Sequence, residues 1–166
     1  MFGILTYIVS ALTIYAYLEV TMWEKSYSTT VENVEPSQIW EIWSNIDIRP
    51  QWDDDTEWAE IKGPFRQGAF FYMKIQKGPK LKMEITECIP DKKFTDTYYF
   101  PLARLDGIHE VEKTASGIRL TTTIRVTGIL QWLWRKLVAE KIVETLPHQT
   151  DLLIQLARQK KNAEQS

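Results

Sequence analysis

A chain of 166 residues has room for one domain with a sizeable core. Apolar residues at 44% and charged residues at 25% match a globular average and exclude both wholesale disorder and a polytopic membrane protein. With 20 basic and 22 acidic residues the net charge is −2, without the basic footprint that a nucleic-acid partner requires.

Residues 1–18, MFGILTYIVSALTIYAYL, carry no charged side chain, and the run ends at Glu19. A bilayer span needs about 20 apolar residues, with about 17 as the lower limit, so this run has the length of a single-span anchor. No basic stretch precedes it and no small-residue cleavage site follows, which argues against an export signal. Gly3, Thr6, Ser10, Thr13 and Tyr17 recur on one helical face, a stripe that suits a membrane helix and equally a helix lying on a greasy patch of its own domain. A start of translation at Met22 is a third reading. Residues 1–20 are therefore set apart as an apolar segment and 21–166 as the folded domain. The localisation this implies is membrane-anchored by one N-terminal segment, with a cytoplasmic protein as the alternative.

From Met22 the stretch WEKSYSTTVEN alternates and is rich in β-branched and aromatic residues, the pattern of a strand. Glu35-Pro36-Ser37 opens a helix whose Ile39, Trp40, Ile42, Trp43 and Ile46 share one side. Arg49-Pro50-Gln51-Trp52 ends it in a turn or second short helix. Asp53, Asp54 and Asp55 read as an exposed acidic knot, since the alternating ligands and glycine of a calcium loop are missing.

Six strands follow at about 57–62, 68–76, 81–89, 93–100, 103–113 and 117–127. Gly63-Pro64, Gly78-Pro79, Pro90-Asp91, Pro101 and Ser116-Gly117 separate them, as in an antiparallel meander. After Gly128 the apolar period changes from two to 3.6: Leu130, Leu133, Trp134, Leu137, Val138, Ile142, Leu146, Leu152, Leu153 and Leu156 form one stripe. One helix of about thirty residues, kinked at Pro147, is predicted to lie along the dry face of the sheet.

A strand, two short helices, a six-strand meander and a long closing helix is the element order of the α+β helix-grip fold. The stretches IWEIWSNIDIRPQWDDD (39–55), KGPFRQGAFF (62–71), ITECIPDKKFTDTYYFP (85–101), HEVEKTASGIRLTTTIRVTG (109–128) and KIVETLPHQTDLLIQLA (141–157) carry a resemblance to the polyketide cyclase/dehydrase and lipid-transport superfamily. That superfamily is also called SRPBCC or START-like and includes the Bet v 1 allergens. The resemblance covers roughly residues 22–158. It implies a curved antiparallel sheet around the C-terminal helix and a deep cavity between them for lipids, polyketides, isoprenoids or other apolar molecules. Some members catalyse and many only bind. The apolar run at the N-terminus departs from the common pattern.

Alternation places His109 with Leu105, Gly107 and Val111 on the inner side of its strand. An imidazole facing a cavity is the best general acid/base candidate, although satisfying a buried partner is the simpler role for it. Asp96, if it faces inward with Phe94, Tyr98 and Phe100, is a carboxylate in apolar surroundings with a raised pKa; the other phase points it at water. Tyr98 or Tyr99 could donate a hydrogen bond to a ligand carbonyl. Trp43, Trp52, Phe71, Met73, Met83 and Phe100 fall where the helix-grip fold places its cavity mouth and wall, and the same residues would fill an ordinary core. Lys141 and His148 flank the helical stripe, Trp132 and Arg135 face outward, and Arg104 and Arg119 are sheet-surface charges.

Cys88 is the sole cysteine, and with His109 and His148 it leaves too few soft ligands for a metal site. No glycine-rich phosphate loop or nucleophile elbow is present, so no cofactor is implied. The leading expectation is a module that binds a small hydrophobic molecule. A cyclase or dehydratase using His109 with Asp96 or Tyr98 requires two polar groups within hydrogen-bond reach. A protein-interaction module requires a filled core and a conspicuous apolar surface patch.

Overall fold

The computed structural model describes residues 22–164. The apolar run 1–18, with its anchor and packing readings, lies outside the described residues. Seven strands form: β1 (Met22–Val31), β2 (Thr56–Ile61), β3 (Phe70–Ile75), β4 (Lys80–Ile89), β5 (Lys93–Phe100), β6 (Ala103–Thr114) and β7 (Gly117–Thr127). Their β-branched and aromatic content suits a pleated, half-buried surface. The hairpin between β6 and β7 turns at Gly117 with φ of 137°, where any side chain would run into the Val31 carbonyl of β1.

Between β1 and β2 lie helix α1 (Pro36–Ser44) and a 3-10 turn (Ile46–Gln51). Glu35 and Gln38 close a capping box at the start of α1, with Pro36 in the first turn. The helix buries Ile39, Ile42 and Trp43, spaced three and four apart, and the turn buries Ile46 and Arg49.

All strands belong to one antiparallel sheet in the order β1-β7-β6-β5-β4-β3-β2. The first strand closes onto the last in register from Met22↔Thr127 to Val31↔Ile118, so β1 and β2, the strands flanking α1, are the two edges. Irregular pairing between Thr56 and Trp58 and between Ile85 and Glu87 bends β2 and β4 and tightens the curl of the sheet.

The closing segment comprises helix α2 (Gln131–Trp134), a π turn (Arg135–Ala139) and helix α3 (Glu140–Glu164). The π turn accommodates one extra residue and so changes the phase of the apolar stripe. Leu137, expected inside, is 53% exposed, while Ala139 is fully buried. The buried series continues through Leu146, Leu153 and Ala157. The interruption expected at Pro147 is thus replaced by one upstream, and α3 runs on through Pro147, which lies on its exposed side.

Three apolar clusters fill the inner face. One joins α1 to the far part of α3 through Ile42, Trp43, Phe94 and Leu153; another gathers Ile46, Phe71, Met83 and Ile85 under β2–β4. The third packs Leu105, Ile124 and Val126 against Ala139 and Leu146. Among the described residues no helix is long and apolar enough to cross a membrane.

Candidate functional site

Polar side chains meet where the three clusters adjoin. Strand register sets Asp96 opposite Gly107, Phe94 opposite His109, and His109 opposite Thr122. Gly107 makes this patch fit: a Cβ there would strike the Asp96 carboxylate and press on His109 Nε2 at 3.4 Å. From the 3-10 turn Arg49 donates through Nη1 to Asp96 Oδ2 at 2.9 Å and through Nε to Asp53 Oδ2 at 3.1 Å. Thr56 Oγ1 donates to the same Asp53 oxygen at 2.9 Å, and Gln149 Nε2 on α3 donates to Asp53 Oδ1 at 3.0 Å. The guanidinium lies 5.2 Å from the Trp52 ring and 5.7 Å from the Phe71 ring.

Arg49, Asp53, Asp96 and His109 are all buried, at 9%, 4%, 3% and 6% exposure. The exposed acidic knot is therefore corrected at Asp53: Arg49 and Thr56 draw it inward, whereas Asp54 and Asp55 stay at the surface. The raised carboxyl expected of Asp96 is corrected too. Burial by itself pushes this group up, but the Arg49 charge, with the His109 ring as a further attraction, outweighs it and holds the carboxyl at about 2. Burial pulls Arg49 down, and Asp96 and Asp53 together lift it above its ordinary value.

His109 stacks on Phe94 with centroids 4.4 Å apart and planes 10° off parallel. Its Nδ1 lies 3.5 Å from Thr122 Oγ1, and its Nε2 lies 3.8 Å from Asp96 Oδ2, longer than a hydrogen bond. Tyr98 packs edge-on against Phe100 at 4.6 Å. Asp96, Tyr98 and His109 border one cavity, yet no hydrogen bond joins any two of them among the described residues.

That cavity, about 110 Å³, lies between the sheet and α3. Its walls include Met73, Leu81, Met83, Phe100, Leu105 and Ile142, and its polar floor is Arg49, Asp96, His109, Thr122 and Gln149. A niche of about 10 Å³ adjoins it, bordered by Trp43, Trp52, Thr150 and Leu153. His109, Thr122, Leu146 and Gln149 line both spaces. Of the residues assigned from sequence to mouth and wall, Met73, Met83 and Phe100 stand on the cavity wall, and Trp43 and Trp52 stand at the inner niche. Phe71 lines neither space and is wholly buried beneath Arg49. Two wider hollows, about 800 and 670 Å³, are lined mainly by charged and polar side chains such as Lys113, Arg119, Glu87 and Arg125.

Sequence reasoning missed Arg49, Asp53, Thr122 and Gln149 as site residues. The Arg49–Asp53 spacing of four was the one local signal, and in a turn beside three aspartates it reads as solvated charge.

No protein-family model and no curated protein matches the chain. Solved structures do. Ara h 8.0201 has a TM-score of 0.66 at 10% identity, over 83% of this chain and 99% of that one. Protein NE0264 from Nitrosomonas europaea has a TM-score of 0.63 at 16% identity, over 82% of this chain and 95% of that one. The di-domain ARO/CYC StfQ from the steffimycin biosynthetic pathway has a TM-score of 0.65 at 14% identity, over 90% of this chain but 55% of that one. With its seven-stranded antiparallel sheet, its long C-terminal helix and these neighbours, the chain has the Bet v 1-like helix-grip fold.

Proposed function

We propose that this domain binds a small, largely apolar molecule, of lipid, polyketide or isoprenoid type, in the cavity between the sheet and α3. The carrying observation is an apolar-walled space left between two otherwise packed clusters, with the polar side chains of Arg49, Asp96, His109, Thr122 and Gln149 in its lining. At about 110 Å³ it is well below the roughly 300–1,000 Å³ of drug-sized pockets, which favours a small ligand or one end of a longer one. Binding is favoured over cyclase-type catalysis because Asp96 is engaged by Arg49 and stands 3.8 Å from His109, leaving no hydrogen-bonded acid/base pair. Thermal unfolding of the full chain with farnesol, dodecanoate and naphthalene tests this. At least one should raise the Tm of the wild type and not of Ile142→Trp, which fills the cavity. No shift with any of them, or equal shifts in both proteins, contradicts the reading.

A second feature supports a membrane setting. Met22 begins β1 at the end of the sheet where Leu102, Ile129, Trp132 and Leu137 are each more than half exposed, and the uncharged run 1–18 precedes it. In this reading the run anchors the chain and the apolar rim faces the bilayer. Alkaline carbonate should leave the full chain in the membrane pellet and release a variant lacking residues 1–20. Release of the full chain would favour a cytoplasmic protein, with the rim then a candidate protein-interaction surface.

A further inference from the structure

Two buried donors among the described residues have no acceptor: Trp43 Nε1 and Trp52 Nε1. The residues are 2% and 4% exposed, so solvent does not serve them. An indole N–H can only donate, and a buried donor without a partner is disfavoured because its hydration has been stripped without replacement. Trp43 comes from α1 and Trp52 from the end of the 3-10 turn, yet both border the one niche of about 10 Å³. Two residues with unused donors border one small space beside the cavity.

We infer that this niche is the polar subsite of the cavity and takes a single neutral oxygen of the ligand, a carbonyl or hydroxyl, held by Trp43 and Trp52. This rests on the ligand-binding reading above. Size selects one atom, because about 10 Å³ is roughly one water-sized position and excludes a branched head such as a carboxylate or phosphate. Charge selects a neutral one. Arg49 already donates to both Asp53 and Asp96, so two buried carboxylates share this one guanidinium, and an added anion would compete with them for it. The ligand class is therefore an apolar body bearing one terminal ketone, aldehyde or alcohol oxygen. The body lies against Met83, Phe100 and Ile142, and the oxygen sits at the niche, which shares His109, Thr122, Leu146 and Gln149 with the cavity.

Acetophenone and α-methylstyrene test this directly, because they have nearly one shape and differ in C=O against C=CH2. The full chain, 15N-labelled at tryptophan, is titrated with each while the indole N–H signals are followed, with Trp43→Phe and Trp52→Phe identifying the two resonances. Acetophenone should bind about tenfold more tightly and shift both indole signals, since a hydrogen bond is worth roughly that factor. Its alkene counterpart should bind without moving them. Equal affinity with both indole signals unmoved would overturn the subsite and leave the cavity standing. Cross-relaxation of both indoles to a trapped water, persisting after acetophenone has bound, would overturn the subsite as well. Binding of neither compound would remove the cavity reading and the subsite with it.

Discussion

Arg49 is the residue on which the buried charges depend. Its side chain pairs with Asp53 and Asp96 from one fork. Arg49→Met should cost about 3–5 kcal/mol in urea unfolding, because two buried carboxylates lose their counter-charge. The triple change Arg49→Met, Asp53→Asn, Asp96→Asn should recover a good part of that loss. Asp96 also sets an acid limit. Its folded value of about 2 lies below the ordinary 3.8, so its contribution is fully present above the ordinary value and is lost as pH falls towards 2. Over that window the loss should be about 2 kcal/mol, and Asp96→Asn should flatten it. Gly107→Ala should cost about 1–3 kcal/mol by forcing the carboxylate off its seat, and should raise the acid midpoint. The pairing of Arg49 with Asp53 and Asp96 was not legible in the sequence. A charged residue in a Pro-containing turn and an aspartate in a run of three both look solvated, and only register across β5 and β6 brings Asp96, Gly107 and His109 together.

At the scale of elements the alternation in the strands was readable, because each has one dry face and clear turn residues between them. The expected strands therefore fall within about two residues of the observed ones. The closing helix was legible as a stripe but not in its phase. A π turn has no strong sequence signature, and its effect appears only when Leu137 is found outside and Ala139 inside. Trp134, just before that turn, stacks on Phe100 at 4.0 Å and donates through Nε1 to the Pro101 carbonyl at 3.1 Å. It braces the Phe100 wall of the cavity. Trp134→Ala should cost about 1–3 kcal/mol in the same unfolding assay and loosen that wall.

For the whole molecule, the element order was sufficient to anticipate a sheet gripping a helix, and the neighbours at 10–16% identity share that fold. Cavity size was not legible, because Met73, Met83 and Phe100 would read the same in a filled core as around a void. What separates the two is the space itself, small and backed by an ion-paired floor. In the proposed function this space holds a molecule. Native mass spectrometry of the full chain, purified gently from a lipid-containing lysate and compared before and after denaturing extraction, tests it most directly. A ligand-holding cavity should give a stoichiometric extra mass, released on denaturation and missing from Ile142→Trp; a bare polypeptide mass in both proteins, even after incubation with a lipid and polyketide extract, would mean that the cavity holds no such molecule.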